Sequence, residues 1–142
     1  MNEIAAKALF DTEIARLSPR LLAARGWEVL SQDYPLLDVI LRGQGKKGIM
    51  LQMRCDSWNA QPPAVEIVTP ERAPLPQPLS GGIFNASSHP VTGKAFVCMA
   101  GVREYHTHSS HLGDLWDGYR SRSGYDLGGI ITQIWNGWLG LP

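Results

Sequence analysis

The chain has 142 residues, of which 44% are hydrophobic and 18% are charged, so it can bury a core and does not belong to the disordered or fibrous classes. Its 13 Lys and Arg residues balance 13 Asp and Glu residues, and the resulting net charge of +0 provides no general attraction to nucleic acid or to an anionic membrane. We therefore predict one domain over residues 1–142.

The sequence also bears on the compartment in which the protein works. It shows neither a leader-like start nor an apolar run of membrane-spanning length. This predicts a cytoplasmic protein with no membrane partner and no nucleic-acid partner. Because cytosolic thiols stay reduced, the two cysteines, Cys55 and Cys98, are expected to be free.

The first segment is predicted to be helical, because apolar residues recur in it at three- to five-residue steps with charged residues between them. The apolar positions are Ile4, Leu9, Phe10, Ile14, Leu17 and Leu21. Pro19 interrupts this pattern, so we expect a kinked helix or two short helices before Gly26 ends the element.

Four short segments rich in Trp, Val, Ile and Leu follow, separated by turn-like residues. They are Trp27–Leu30, Leu37–Leu41, Ile49–Cys55 and Ala64–Val68. The third alternates in strand period, with Ile49, Leu51 and Met53 on one face. These segments predict a four-stranded antiparallel meander behind the N-terminal helix, and hence an α+β fold.

The second half contains less regular structure. Four prolines between Thr69 and Gly82 predict an extended surface loop. After a loop around Cys98, residue spacing predicts two helices, with Asp114 and Asp126 near their starts, over Leu112–Arg122 and Leu127–Leu139.

The last of these helices has an apolar face that is expected to pack on the sheet. Its residues are Ile130, Ile131, Ile134 and Trp135. Trp138, near the end of the chain, is expected to be exposed for a partner.

Two local motifs accompany this order of elements. The segment from Gln61 to Pro70 reads QPPAVEIVTP, and the segment from Ser88 to Cys98 reads SHPVTGKAFVC. The first resembles the Pro-Pro strand of ubiquitin-conjugating enzymes. The second resembles the His-Pro-Asn stretch that leads to the active-site cysteine of that family. The chain is thus similar to the bacterial ubiquitin-conjugating-like proteins, with His89 and Pro90 as the structural part of the active-site loop.

The resemblance implies a function for Cys98. A thiolate is a good nucleophile and its thioester stays reactive toward amines. Cys98 would accept a ubiquitin-like protein from an activating enzyme and pass it to an amine of a target protein. Bacterial relatives of this kind occur in antiphage conjugation systems, and the step requires no cofactor.

Two positions depart from the family pattern. Val91 stands where the family usually has asparagine, and Gly93 lies five residues before Cys98 instead of closer. The family's asparagine stabilises the oxyanion formed during lysine attack, whereas a valine side chain cannot donate a hydrogen bond. This departure motivates an alternative, a catalytically inactive binding module of the same fold. Independently of that alternative, the apolar neighbours Phe96, Val97 and Met99 allow Cys98 to be a buried small hydrophobe, as Cys55 is expected to be.

Three histidines within six positions form the second candidate site, at His106, His108 and His111. One interpretation makes one of these histidines, with Asp114 or Glu104, a base or electrostatic helper of Cys98, and favours His106 and His108 with Asp114 for this role. A second makes the three imidazoles the ligands of a zinc ion, and the protein a zinc-dependent hydrolase. The third is a polar surface loop without a function.

Overall fold

The computed structural model describes residues 2–142 and shows an α+β arrangement of helices around a four-stranded antiparallel sheet. The helices are α1 (Glu3–Ala15), α2 (Pro19–Arg25), α3 (Arg103–Thr107) and α4 (Leu127–Leu139). The strands of the sheet are β1 (Trp27–Ser31), β2 (Leu36–Gly43), β3 (Lys46–Arg54) and β4 (Ala64–Val68). A second, two-stranded sheet contains β5 (Phe84–Asn85) and β6 (Phe96–Val97). The predicted fold class and the four-stranded meander are confirmed.

The N-terminal segment forms two short helices and not one kinked helix, which was one of the two arrangements predicted from Pro19. Ser18 caps the second helix by accepting a hydrogen bond from the Leu21 amide at 3.2 Å, and Pro19 occupies the first helical turn. Gly26 ends α2 with a φ of +68°, in the left-handed region that favours glycine. The chain then enters β1 directly.

The sheet has the strand order β1-β2-β3-β4. In the central pair, Leu37 lies opposite Met53, and Val39 opposite Leu51. All four side chains are buried, because the alternation along each strand turns them toward the same face. Cys55, just beyond β3, is also fully buried, as predicted.

Helix α4 also packs apolar side chains into that core. Ile130, Ile131 and Ile134 are fully buried, which agrees with the predicted face. The expectation for Trp138 is wrong, because its side chain is only 3% exposed. Trp138 packs against β2 at Gly43, where an added Cβ would lie 3.3 Å from the indole ring. The same Cβ would lie 2.9 Å from Leu139 Cδ2, so glycine at this position lets the end of α4 pack closely on β2.

A buried carboxylate links the helical layer to the rest of the core. Glu13 of α1 accepts hydrogen bonds from the Trp58 indole at 2.9 Å and from the Leu127 amide at 2.7 Å. Burial raises the pKa of Glu13 above its ordinary value. This carboxyl group, which the sequence pattern places between the apolar positions of α1, thus holds α1 against the start of α4.

Two features of the second half differ from the predictions. Residues 112–122 do not form a helix; they make turns and a single 3₁₀ turn, Trp116–Gly118. The indole of Trp116 donates to the Asn59 carbonyl at 2.8 Å, so a tertiary contact outweighs the local spacing. The short helix α3, Arg103–Thr107, lies instead nearer to Cys98 in the chain and includes His106. No helix within residues 2–142 is long and apolar enough to cross a membrane.

Candidate thiol–imidazole site

The position of Cys98 is set by the small β5–β6 sheet. Phe84 pairs with Val97, and the Cys98 amide donates to the Ile83 carbonyl at 2.6 Å immediately after β6. Val97 is buried, whereas Cys98 is only partly buried. The strand end thus presents the thiol at the edge of the core, where a reagent can reach it.

The loop between β5 and β6 is organised by His89, which is 1% exposed. Its Nδ1 accepts hydrogen bonds from the amides of Val91 at 3.0 Å and Thr92 at 3.3 Å. Its Nε2 donates to the Glu104 carbonyl at 2.8 Å. Both ring nitrogens therefore bind backbone groups, and Pro90 begins an exposed turn beside them. These contacts join the loop before Cys98 to α3.

Cys98 has an imidazole beside it. The Nε2 atom of His111 lies 3.6 Å from the Cys98 Sγ atom. The His111 ring stacks on Tyr105, with 4.2 Å between the ring centroids and 14° between the planes. Burial raises the pKa of the Cys98 thiol, so the protonated form is favoured at neutral pH. A base next to the sulfur is therefore chemically relevant.

The ring of His111 is held by a network behind it. The hydroxyl of Tyr105 donates to Asp114 at 2.5 Å, and the hydroxyl of Tyr119 donates to the same carboxylate at 2.8 Å. Hydrogen bonds from these two phenols lower the pKa of Asp114, while the bond to Asp114 raises the pKa of Tyr105 to about 12. Asp114 thus stays ionised and fixes the tyrosine on which His111 stacks.

His106 is engaged on both sides. Its Nδ1 donates to the Asp114 carbonyl at 2.7 Å, and its Nε2 accepts from the Gly101 amide at 3.0 Å. An imidazole with both nitrogens bound to backbone is not placed to move protons at Cys98. The geometry therefore gives His106 a role in holding the loop, in contrast to the helper role predicted from the sequence.

His108 faces the aromatic residues next to Cys98. Its ring stacks on Phe96, with 5.5 Å between centroids and 25° between planes, and its Nδ1 accepts from the Ser110 amide at 3.0 Å. Asp114, the other predicted helper, binds the two tyrosines. Of the histidines in residues 2–142, His111 is the one that the structure places at hydrogen-bonding distance from the thiol.

The zinc interpretation needs three imidazoles directed at one point. Two of the three predicted ligands, His106 and His108, use ring nitrogens to bind backbone groups, and the third, His111, faces Cys98. Within the described part of the chain, no three His, Cys, Asp or Glu side chains are arranged to hold a metal ion. The donor set therefore does not fit zinc, and the basis for a zinc-dependent hydrolase is absent from this part of the chain.

Glu104, the alternative carboxylate partner, also lies in the interior. One of its carboxylate oxygens accepts a hydrogen bond from the Val65 amide at 3.0 Å, which ties α3 to β4. Burial raises the pKa of this carboxyl group. Cys55 has a raised thiol pKa for the same reason, and its full burial leaves Cys98 as the accessible cysteine.

His106, His108 and Asp114, which the sequence predicts as helpers of Cys98, lie in the segment that approaches the thiol, but the structure places His111 next to the sulfur. His111 is thirteen positions from Cys98, and its approach depends on turns at residues 108–114 that carry no helical or strand period. The sequence feature that could have pointed to His111 is the presence of its two supporting residues: Tyr105 stands six residues before it, and Asp114 three residues after it.

A second surface feature lies beside β6. An apolar groove of about 390 Å³ runs between β4, the proline-rich segment and β6. Leu75, Leu79 and Phe84 line it, and an ion pair between Lys94 and Glu66, 3.1 Å long, stands at its margin. The groove is large enough to receive one or two apolar side chains of a partner.

Fold and site together define an α+β protein with a partly buried thiol beside an imidazole. A family model described as Y4jH-like, the Y4jH family, matches residues 82–139. This segment is less than half of the chain, but it includes β5, Cys98, the three clustered histidines and α4. The description names no activity. No curated protein matches the chain.

Proposed function

We propose that the protein is a ubiquitin-conjugating-like enzyme that carries a ubiquitin-like protein as a thioester on Cys98. The observation that carries this proposal is the partly exposed Cys98 thiol, placed at the end of β6 beside an imidazole and preceded by the His89-Pro90 loop. The four-stranded antiparallel meander and the N-terminal helices are compatible with the same fold. The reaction would take place in the cytoplasm, in a conjugation pathway of the antiphage kind.

The proposed reaction has two acyl transfers. In the first, the Cys98 sulfur attacks the thioester of an activating enzyme; a new carbon–sulfur bond forms, the old one breaks, and the Cys98 proton passes to the departing thiol. In the second, an amine of the target protein attacks the Cys98 thioester; a carbon–nitrogen bond forms, the carbon–sulfur bond breaks, and one amine proton passes to the departing Cys98 sulfur. Neither transfer requires a metal or an external oxidant.

Val91 stands at the position where the ubiquitin-conjugating family uses an asparagine to stabilise the oxyanion. Its side chain is 74% exposed and cannot donate a hydrogen bond, while its amide is used by His89. Stabilisation of the oxyanion by an asparagine at this position is therefore not part of the proposal.

The test is intact-protein mass spectrometry after incubation with a cognate activating enzyme, ATP and the ubiquitin-like protein. We expect a mass increase of one carrier protein that a reducing thiol removes. Cys98→Ser should give an adduct that resists thiols, because an oxygen ester replaces the thioester. Cys55→Ala is the matched control and should keep the thiol-sensitive adduct. An unchanged adduct in Cys98→Ala, or none in the wild type when the activating enzyme is itself charged, would refute the proposal.

A second candidate function is a binding module of the same fold without acyl transfer. The apolar groove beside β6 favours it, since apolar side chains of a ubiquitin-like protein or its partner would fit there. In that case the Cys98→Ala protein should bind the ubiquitin-like protein as tightly as the wild type, and Leu75→Glu in the groove should weaken binding. Calorimetric titration measures both effects, and binding by the wild type without a thiol-sensitive adduct separates this function from acyl transfer.

A further inference from the structure

Acyl transfer at Cys98 requires a group that moves a proton. A thiol whose protonated form is favoured must lose its proton as it is acylated, and an attacking amine must lose one as the amide forms. In many enzymes an imidazole within hydrogen-bonding reach of the reacting atoms performs this task. The residue that moves the proton must therefore have a ring nitrogen within reach of the Cys98 sulfur.

Three of the four histidines are engaged elsewhere. His89 and His106 use both ring nitrogens for backbone groups, and His108 packs on Phe96 while binding the Ser110 amide. His111 is different, because its Nε2 is 3.6 Å from the Cys98 sulfur. This distance is suitable for a hydrogen bond to sulfur, and an incoming amine that attacks an acyl group on Cys98 would arrive beside the same nitrogen.

The ring of His111 is also oriented. Tyr105 covers one face of the imidazole, and the carboxylate of Asp114 fixes the Tyr105 hydroxyl. Tyr119 completes the arrangement from the 3₁₀ turn. A side chain on a loop without regular structure is thereby held with its Nε2 edge toward the sulfur, and Tyr105 acts as a positioning residue.

We propose that His111 is the proton-transfer residue for acyl transfer at Cys98, an assignment that rests on the proposed function. The attacking amine forms the carbon–nitrogen bond and gives its proton to His111 Nε2. The carbon–sulfur bond then breaks, and the same proton passes from Nε2 to the departing Cys98 sulfur. Charge and atoms balance, with amine and thioester consumed and amide and thiol formed.

The test uses a small acyl group so that it does not depend on an activating enzyme. The full-length protein is acylated on Cys98 with the acetyl thioester of N-acetylcysteamine, freed of reagent, and mixed with lysine. Mass spectrometry follows the loss of the acetyl group and the release of acetyl-lysine. The variants are His111→Gln, which keeps a polar amide, and His111→Phe, which keeps the ring on Tyr105. His108→Asn is the matched control, because its side-chain oxygen can still accept from the Ser110 amide.

We expect discharge to lysine to fall by about a hundredfold in both His111 variants, the lower end of the usual contribution of a positioned acid–base group. The His108→Asn protein should stay within about threefold of the wild type. Thermal unfolding of each variant shows that the loss is not a loss of the fold. Rates in both His111 variants within about threefold of the wild type would overturn the assignment. Absence of acetylation at Cys98 in the wild type would do the same.

Two further outcomes separate His111 from other roles. Full activity in His111→Gln with loss in His111→Phe would show that a hydrogen-bond donor suffices, which overturns proton transfer. Dependence of lysine acetylation on His111, combined with no loading by a charged activating enzyme, would reject the conjugating function and keep the His111 assignment.

Discussion

Replacement of Glu13 by alanine tests how much one buried carboxylate contributes to this fold. Glu13 is 6% exposed and accepts two hydrogen bonds, from the Trp58 indole and from the Leu127 amide. The first partner lies in the connection between β3 and β4, and the second is the first residue of α4. Glu13→Ala would remove the acceptor of both donors at once.

The expected cost follows from those two donors. Leaving a buried donor without its partner costs about 1–3 kcal/mol, so two donors together give about 4 kcal/mol of lost unfolding free energy. This is a large part of the total stability of a domain of this size, which is about 5–15 kcal/mol. The variant is expected to fold, with a markedly lower midpoint of unfolding.

Urea denaturation followed by tryptophan fluorescence measures this loss. With a slope of about 2 kcal/mol per molar urea, the unfolding midpoint should fall by about 2 M. Glu28→Ala is the control, because Glu28 is half-exposed and pairs with Arg42 on the surface; its midpoint should fall by less than about 0.5 M. A loss below about 1 kcal/mol in Glu13→Ala would refute the view that this carboxylate satisfies two buried donors.

Two other changes test neighbouring features of the fold. Burial raises the pKa of Glu13 in the folded protein, so the unfolded chain loses the Glu13 proton at a lower pH than the folded protein does. The folded protein therefore loses stability as pH rises from 4.5 through the folded pKa. Glu13→Gln has no proton to lose at this position, so this part of the decline should vanish. Between about pH 4 and pH 7 the unfolding temperature of the wild type should therefore fall relative to that of the variant. Parallel curves would contradict a raised pKa for Glu13. Gly129→Ala would place a Cβ 2.5 Å from the Gly124 carbonyl group and should cost about 1–3 kcal/mol in urea denaturation, whereas the control Gly113→Ala meets nothing within 4 Å. Equal stability of the two glycine variants would show that the start of α4 can shift freely.

The order of the main elements could be predicted because it is a local property. Apolar alternation identified β3, the proline at position 19 divided α1 from α2, and the apolar face of α4 was correct in Ile130, Ile131 and Ile134. The same local reasoning predicted a helix over residues 112–122. In the structure, the indole of Trp116 binds the Asn59 carbonyl and the carboxylate of Asp114 binds Tyr105, so these residues form turns instead. Helical spacing in a short segment is a weak preference that such contacts override.

The sequence by itself determined that the protein is an α+β molecule with an antiparallel meander, and it singled out Cys98 and the histidine-rich segment as the places to look for chemistry. Only the tertiary structure decided which histidine meets the thiol. His111 reaches Cys98 because Tyr105 and Asp114 hold its loop in place, and His106 is excluded because backbone groups take both of its nitrogens. Local periodicity reports the face on which a side chain lies. Hydrogen bonds and ring stacking between residues five to thirteen positions apart, which follow no helical or strand repeat, decide what these side chains touch.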